Sequence, residues 1–328
     1  MLAGSCWGQI AYVNNKHLYV LPWSAFGQLK KSVRPVLICS VDPRFAGELT
    51  LAWSAAGEIE LLSSYKQFGV VKPVRGAQIR RAADVLSDFP PVHSPDGSVA
   101  VVFVSYPEKK GEPTSRWFQD AYLVSKRDNK KLLLQRRAEG NAVWSPNGKL
   151  LVLPFTDDHD GTLTKVISYP SLKTRYEVRG FPGAENTFSP DGRIIALAAA
   201  GPLEYRPTEL YNAATGKKVP SAWPTGGWQT SDVTSWSPDG RHYLEEFGAQ
   251  DGSDHWTRHC VAIGDLTTGK TRVIPKTRDA KDPAYSKDGN HFFWIFGKSR
   301  RLERVDSGGS SKRKVIARGV TAFAVRSR

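Results

Sequence analysis

One phrase returns along this whole chain: an aromatic residue followed by Ser-x-x-Gly. It reads Trp53-Ser54-Ala55-Ala56-Gly57, His93-Ser94-Pro95-Asp96-Gly97, Trp144-Ser145-Pro146-Asn147-Gly148 and Phe188-Ser189-Pro190-Asp191-Gly192. It recurs as Trp236-Ser237-Pro238-Asp239-Gly240 and Tyr285-Ser286-Lys287-Asp288-Gly289, with a weaker opening copy, Ser5-Cys6-Trp7-Gly8. The glycines at 8, 57, 97, 148, 192, 240 and 289 stand 49, 40, 51, 44, 48 and 49 residues apart. A period of that length, filled with strand-like sequence, marks a propeller or solenoid. Because the repeats run from end to end, residues 1–328 are expected to form one domain.

Each repeat has a physical reading. Pro at the second turn position pre-sets φ, Asp or Asn at the third bonds back to the local backbone, and Gly takes the left-handed conformation. Short apolar runs follow the turns, at Val99 to Val104, Leu150 to Phe155, Ile194 to Ala199 and His291 to Phe296. After a loop come second runs (Ala121 to Ser125, Lys165 to Tyr169, Val261 to Asp265, Leu302 to Val305), then third ones (Lys131 to Gln135, Thr174 to Val178, Thr271 to Ile274, Lys314 to Ala317). With the strand that carries the leading aromatic, each repeat holds four strands, the blade of a β-propeller. These leading aromatics are expected to wedge between blades, and His93 to fill one such slot rather than act as a ligand or base.

The two ends of the chain set the blade number. Val320-Thr321-Ala322-Phe323-Ala324 matches Val233-Thr234-Ser235-Trp236-Ser237 but lacks the turn, whereas Ser5 to Gly8 has the turn and almost no strand before it. The expected fold is all-β: a seven-bladed propeller of four-stranded blades, its ring closed by the C-terminal strand pairing into the first blade.

No apolar run approaches the roughly 18 residues needed to span a bilayer. Cys6, Cys39 and Cys260 form no metal or redox spacing. Cys6 and Cys39 fall in one blade and could pair in an oxidising compartment; buried free thiols are the favoured reading. Met1 to Cys6 has no charged or apolar signal region, but its small residues before a cysteine resemble the end of a bacterial lipoprotein signal, which an upstream start would complete.

The aromatic-Ser-Pro-Asp-Gly phrase followed by an apolar strand resembles the TolB-type propeller repeat of bacterial cell-envelope proteins. That repeat also occurs in tricorn-like proteins, prolyl-oligopeptidase-type peptidases and oligogalacturonate lyases. The resemblance covers the whole chain and implies a propeller, with a periplasmic or envelope setting. TolB has six blades after a separate N-terminal domain, whereas the expectation for residues 1–328 is seven blades and no such domain. The peptidases carry a Gly-x-Ser-x-Gly nucleophile on an added domain, and no such motif occurs here.

Propeller strand order puts the Ser-x-x-Gly turns and the third-to-fourth-strand turns on one face, and the longer loops on the other. Those loops are Ser105 to Asp120, Thr156 to Leu163, Gly201 to Pro207, Ala222 to Asp232 and Gly248 to Arg258. On that loop face, Trp117, Phe118, Tyr205, Trp223, Trp228, Trp256 and His255 are candidates for a mouth that takes a protein, peptide or glycan. Asp157, Asp158 and Asp160, with Asp251 and Asp254, offer oxygen ligands at spacings able to hold a Ca²⁺. Neither run matches a twelve-residue calcium loop, so a Gly-closed turn is the favoured reading and no cofactor is expected. His255 and His259 stand four apart, but only a helix would join them at a metal.

The net charge of +14 needs a location. Lys30, Lys31, Arg75, Lys126, Arg127, Lys130, Lys131, Lys173, Lys217, Lys218, Lys270, Lys312, Arg313 and Lys314 all fall in third-to-fourth-strand turns. With their neighbours they account for an excess as large as that of the whole chain. A basic face of this kind would dock onto an anionic surface or acidic partner; these turns lack the interleaved aromatics that stack nucleic-acid bases. A non-enzymatic binding or scaffold propeller is therefore the leading expectation. The alternatives are a propeller enzyme of the polysaccharide-lyase type and a docking subunit of a larger complex.

Overall fold

The computed structural model describes residues 8–14, 16–23, 35–41, 49–53, 57–63, 66–73, 78, 80–81, 91–107, 117–139, 142–157, 161–182, 187–199, 208–221, 230–250, 256–307 and 313–325. Among the described residues the regular structure is entirely β, in four-stranded antiparallel sheets. None of them forms a helix long and apolar enough to cross a membrane. The chain divides into two compact units: Met1–Ala83 with His259–Val261 and Val273–Arg328, and Asp84–Arg258 with Ala262–Arg272.

The first unit holds three of the sheets. One orders Val320–Val325, Gly8–Asn14, His17–Trp23 and Val36–Ser40 side by side. Its C-terminal strand pairs antiparallel with the N-terminal one, Ala11 opposite Ala324 and Tyr12 opposite Phe323. A second is built from Leu49–Trp53, Ile59–Ser63, Lys66–Val71 and Arg80–Arg81, and a third from Ala280–Tyr285, His291–Phe296, Arg301–Asp306 and Arg313–Ala317. Ala11, Val13 and Leu18 pack with Leu51, Ile59 and Leu61 of the second sheet. Ile10, Tyr12 and Leu21 pack the other way, with Phe293, Ile295 and Leu302 of the third. Alternate residues of one strand thus serve two neighbouring sheets, as the two-residue period of a strand requires.

The second unit repeats the scheme four times. Its first sheet runs Val92–His93, Val99–Pro107, Trp117–Ser125, Lys131–Gln135; its second Val143–Trp144, Leu150–Thr156, Thr162–Ser168, Thr174–Arg179. The third is Phe181–Pro182, Ile194–Ala198, Thr208–Asn212, Lys218–Val219, and the fourth Thr230–Trp236, His242–Gln250, Trp256–Asp265, Lys270–Val273. Leu150–Thr156 is buried along its entire length. Leu151 and Leu153 face the first sheet's Val101 and Phe103, while Leu150 and Val152 face the third sheet's Ile195 and Leu197. Fully burying such a side chain contributes roughly 1.5–3 kcal/mol, so the sheets are held mainly by this two-sided apolar packing.

The aromatics that lead the repeats close these inter-sheet layers. Trp144, Phe188, Trp236 and Tyr285 are buried. The Trp144 indole N–H donates to the Val92 carbonyl of the preceding sheet at 3.2 Å, and that of Trp53 to the Ala324 carbonyl at 3.3 Å. His93 departs from the expectation: it is exposed, not wedged. Partial burial and the nearby Lys126 still hold its imidazole pKa below the usual value. In the fourth sheet Tyr243 lies flat against Gly264, where an added Cβ would meet the ring at 2.0 Å, so only glycine admits this contact.

The Ser-x-x-Gly turns are nearly identical in bonding. Ser94, Ser145, Ser189, Ser237 and Ser286 are buried, and each hydroxyl donates to the third-position side chain at 2.6–2.9 Å. The same hydroxyl accepts the first N–H of the following strand, Leu150 to Ser145 at 2.9 Å for example. The third-position oxygen also accepts the N–H two residues on, at 3.0 Å from Lys149, Arg193, Arg241 and Asn290. The turn glycines sit at φ of +68 to +74°, a region that costs other residues roughly 1–2 kcal/mol. The expected roles of the third-position side chain and of Gly are what the geometry displays, and the structure adds the buried serine as the hub of the turn.

Candidate functional site

In every four-stranded antiparallel sheet the first and third connections share an end. Here backbone bonds stitch those two connections together. The N–H of Lys126 donates to Ser98, Tyr169 to Lys149, Ala213 to Arg193, Leu266 to Arg241 and Ser307 to Asn290, at 2.7–3.0 Å. Within the second unit, moreover, consecutive turns lie side by side. A Cβ on Gly148 would meet Pro95 at 3.5 Å, one on Gly192 would meet Pro146 at 3.5 Å, and one on Gly240 would meet Pro190 at 3.7 Å. An outer strand also touches the next outer turn: the Tyr176 hydroxyl, on Thr174–Arg179, donates to the Ala213 carbonyl of the next sheet at 2.7 Å. The turn ends of this unit therefore form one continuous surface.

That surface is cationic. Lys126, Arg127, Lys130, Lys131, Lys173, Lys217, Lys218 and Lys270 are all exposed at the turn ends of their sheets. Two of them are partly neutralised: Lys218 lies 2.5 Å from Glu209, and Lys130 3.2 Å from Asp128. In the first unit Lys314 is exposed, while Arg313 is engaged internally. Its guanidinium donates to the Pro275 and Lys276 carbonyls at 3.0 and 2.6 Å, lies over the Trp294 and Phe296 rings, and sits 3.6 Å from Glu303. Lys30, Lys31, Arg75 and Lys312 lie outside the described residues.

Sequence reasoning missed a second row of cations. Lys149, Arg193 and Arg241 directly follow the turn glycines of three consecutive sheets, and all are exposed. The signal was the column one place after each Gly, where these three cations stand in succession. Between the second and third sheets the surface deepens into an open cleft of about 760 Å³, with Lys149, Arg175 and Arg193 on its walls. A volume of that order suits a small organic ligand. Among the described residues no carboxylate pairs with Lys149 or Arg175, whereas Arg193 lies 3.6 Å from Asp191.

At the opposite end of the sheets fewer of the singled-out residues are described. Phe118 is opposite Tyr106 on a strand rather than in a loop, because the hairpin extends through Val99–Pro107 and Trp117–Ser125. Its ring lies 6.2 Å from that of Tyr106, with the Arg137 guanidinium 4.6 Å above it. Trp117 and Trp256 begin strands, and their side chains lie outside the described residues. Tyr205, Trp223, Trp228, His255, Asp158, Asp160, Asp251 and Asp254 also lie outside them. Asp157 closes a turn on Gly161: its carboxylate accepts the Gly161 N–H at 2.7 Å, and its own N–H donates to the Gly161 carbonyl at 2.9 Å. Cys39 and Cys260 are free thiols, and burial pushes that of Cys39 up to about 11.

No protein-family model and no curated protein matches the chain. Among solved structures it is similar to a putative 6-phosphogluconolactonase from Bacteroides uniformis, at 13% identity over 98% of this chain and 100% of that one, with a TM-score of 0.58. It is also similar to a structure described in work on two prolyl endopeptidases, at 11% identity over 97% of this chain and 50% of that one, with a TM-score of 0.56. TolB from Acinetobacter baumannii matches at 15% identity over 97% and 82% of the two chains, TM-score 0.45, too loose to carry anything across. At these identities the likeness speaks for the fold alone, that of the β-propellers, which host unrelated functions.

Proposed function

We propose that this chain is a non-enzymatic binding or scaffold propeller that docks an anionic partner through the turn ends of its sheets. In this reading residues 1–328 form one seven-bladed domain, its ring closed where Val320–Val325 pairs into the first blade. The carrying observation is the row of adjacent turns in the second unit, which presents exposed Lys126, Lys131, Lys149, Lys173, Arg175 and Lys217 together. Clustered like charges repel, and they are tolerated at low cost only in water or against a complementary surface. The loop-end aromatics Trp117, Phe118, Tyr205, Trp228 and Trp256 remain the proposed mouth for a protein, peptide or glycan. The envelope setting rests on the repeat's resemblance to the TolB type.

The test uses the full chain on immobilised heparin as a generic polyanion. Retention should weaken steeply with salt, and Lys130→Glu, Lys131→Glu, Lys217→Glu and Lys218→Glu together should abolish it while circular dichroism stays unchanged. A folded quadruple variant retained like the parent would overturn the reading.

A further inference from the structure

The cleft between the second and third sheets of the second unit has a more selective chemistry than the surface around it. Its repeat is the one whose turn carries Asn rather than Asp at the third position: Ser145-Pro146-Asn147-Gly148. Asn147 Oδ1 is committed to the turn, accepting from the Ser145 hydroxyl at 2.9 Å and the Lys149 N–H at 3.0 Å. Its amide nitrogen is therefore the group left to face outward, and it lies 4.0 Å from where a Gly192 Cβ would stand, across the gap between the two turns. Asn212 is fixed in the same sense, its Oδ1 accepting the Ala214 and Thr215 N–H groups at 3.0 and 3.1 Å. Both amides thus keep their N–H groups outside these turn bonds, and both residues line the cleft beside Lys149, Arg175 and Arg193. The single carboxylate on the walls, Asp191, is bound by its own turn: Oδ1 accepts from Ser189 at 2.7 Å and from the Arg193 N–H at 3.0 Å.

A lining in which three cations and two amides outweigh one carboxylate selects a ligand rich in acceptor oxygens and negative charge. The cleft is far larger than one oxyanion, and Tyr169 adds a ring to its wall. We infer that it binds a sugar-sized ligand bearing a phosphate or sulfate monoester, the ester held by Lys149, Arg175 and the Asn147 amide. This rests on the reading of the turn ends as an anion-binding surface and narrows it to one site.

Titration calorimetry of the full chain with glucose, glucose 6-phosphate and glucose 6-sulfate tests it. Saturable one-to-one binding of an ester but not of glucose is expected, and the tighter ester identifies which oxyanion the cleft is built for. Asn147→Asp should weaken ester binding at least about tenfold, a change of about 1.4 kcal/mol, and leave the thermal midpoint in place. Asp already makes the same turn bonds at Asp96, Asp191, Asp239 and Asp288. Arg175→Gln should act likewise, and Lys281→Gln in the other unit should change nothing. Equal binding of glucose, no binding of either ester, or unchanged affinity in Asn147→Asp would each overturn the inference. If ester binding fails while salt-sensitive heparin retention persists, the cleft is wrong and the docking surface stands; loss of both removes the broader reading too.

Discussion

The turns at Ser145–Gly148 and Ser286–Gly289 have the same backbone bonds and opposite surroundings. Around the second, two carboxylates face a histidine: His291 Nε2 lies 3.3 Å from Asp306, and its Nδ1 3.8 Å from Asp288. Around the first, Lys149 and Arg175 meet no carboxylate among the described residues, and Asn147 replaces the usual Asp. The buried serine and the left-handed glycine are what the fold needs, so they recur. The third position and the residue after glycine are free to vary in charge, and there the two units diverge.

The largest expected effect should be common to both turns. Ser145→Ala and Ser286→Ala each strip a buried strand N–H and a side-chain acceptor of their partner, a loss of about 1–3 kcal/mol. Urea unfolding should give similar losses for the two; a loss confined to one turn would break the equivalence. Next come Gly192→Ala and Gly289→Ala. At φ +70 and +73° each should cost roughly 1–2 kcal/mol, seen as a lower unfolding midpoint.

A smaller effect separates the turns by pH. Burial and the neighbouring Arg304 lower the His291 pKa, against the opposing pull of Asp288 and Asp306. The unfolded chain then takes up the proton first, so stability is complete above pH 6.5 and declines as pH falls from there through the lower folded value. His291→Gln should flatten that decline, measured as unfolding free energy against pH; an unchanged slope would show that His291 is not its source. Further into acid, Asp96 and Asp239 are held below the ordinary carboxylate range, chiefly by the hydroxyls of Ser94 and Ser237 and then by backbone N–H groups. Their contribution should be complete above pH 3.8 and be lost as pH falls from there through the lowered folded values. The Asn147 turn has no such carboxylate to lose. Smallest of all, Asn147→Asp should shift stability by less than about 0.5 kcal/mol, as surface changes away from special features usually do.

Much of the fold was legible because it is local. Ser, Pro, Asp and Gly act within five residues of each other, and the strand runs follow directly. The hairpin over Val99–Pro107 and Trp117–Ser125 is longer than its apolar run, since Ser105, Pro107, Gln119 and Asp120 interrupt that run although the backbone pairing continues. The repeat puts His93 in an aromatic slot, yet what covers a side chain there depends on its neighbours in space. The third-to-fourth-strand lysines were legible as a periodic feature. The pairing of Lys218 with Glu209 depends on adjacency across two strands. The cleft is hidden from the sequence because it joins the fifth position of two turns, Lys149 and Arg193, to a strand residue, Arg175, and only the spacing between sheets brings these together.

The central claim is that location, not net charge, makes the turn ends of the second unit an anion-binding surface. Its most direct test compares two triple variants of equal charge: Lys149→Gln, Arg175→Gln, Lys217→Gln against Arg278→Gln, Lys281→Gln, Lys298→Gln. The second set is also exposed and lies away from the turn ends. Heparin affinity is measured against salt for each, since counter-ion release makes log K fall in proportion to the contacts formed. The account predicts a shallower slope, by about two contacts or more, for the first set and the parent slope for the second. Equal slopes in the two variants would contradict it.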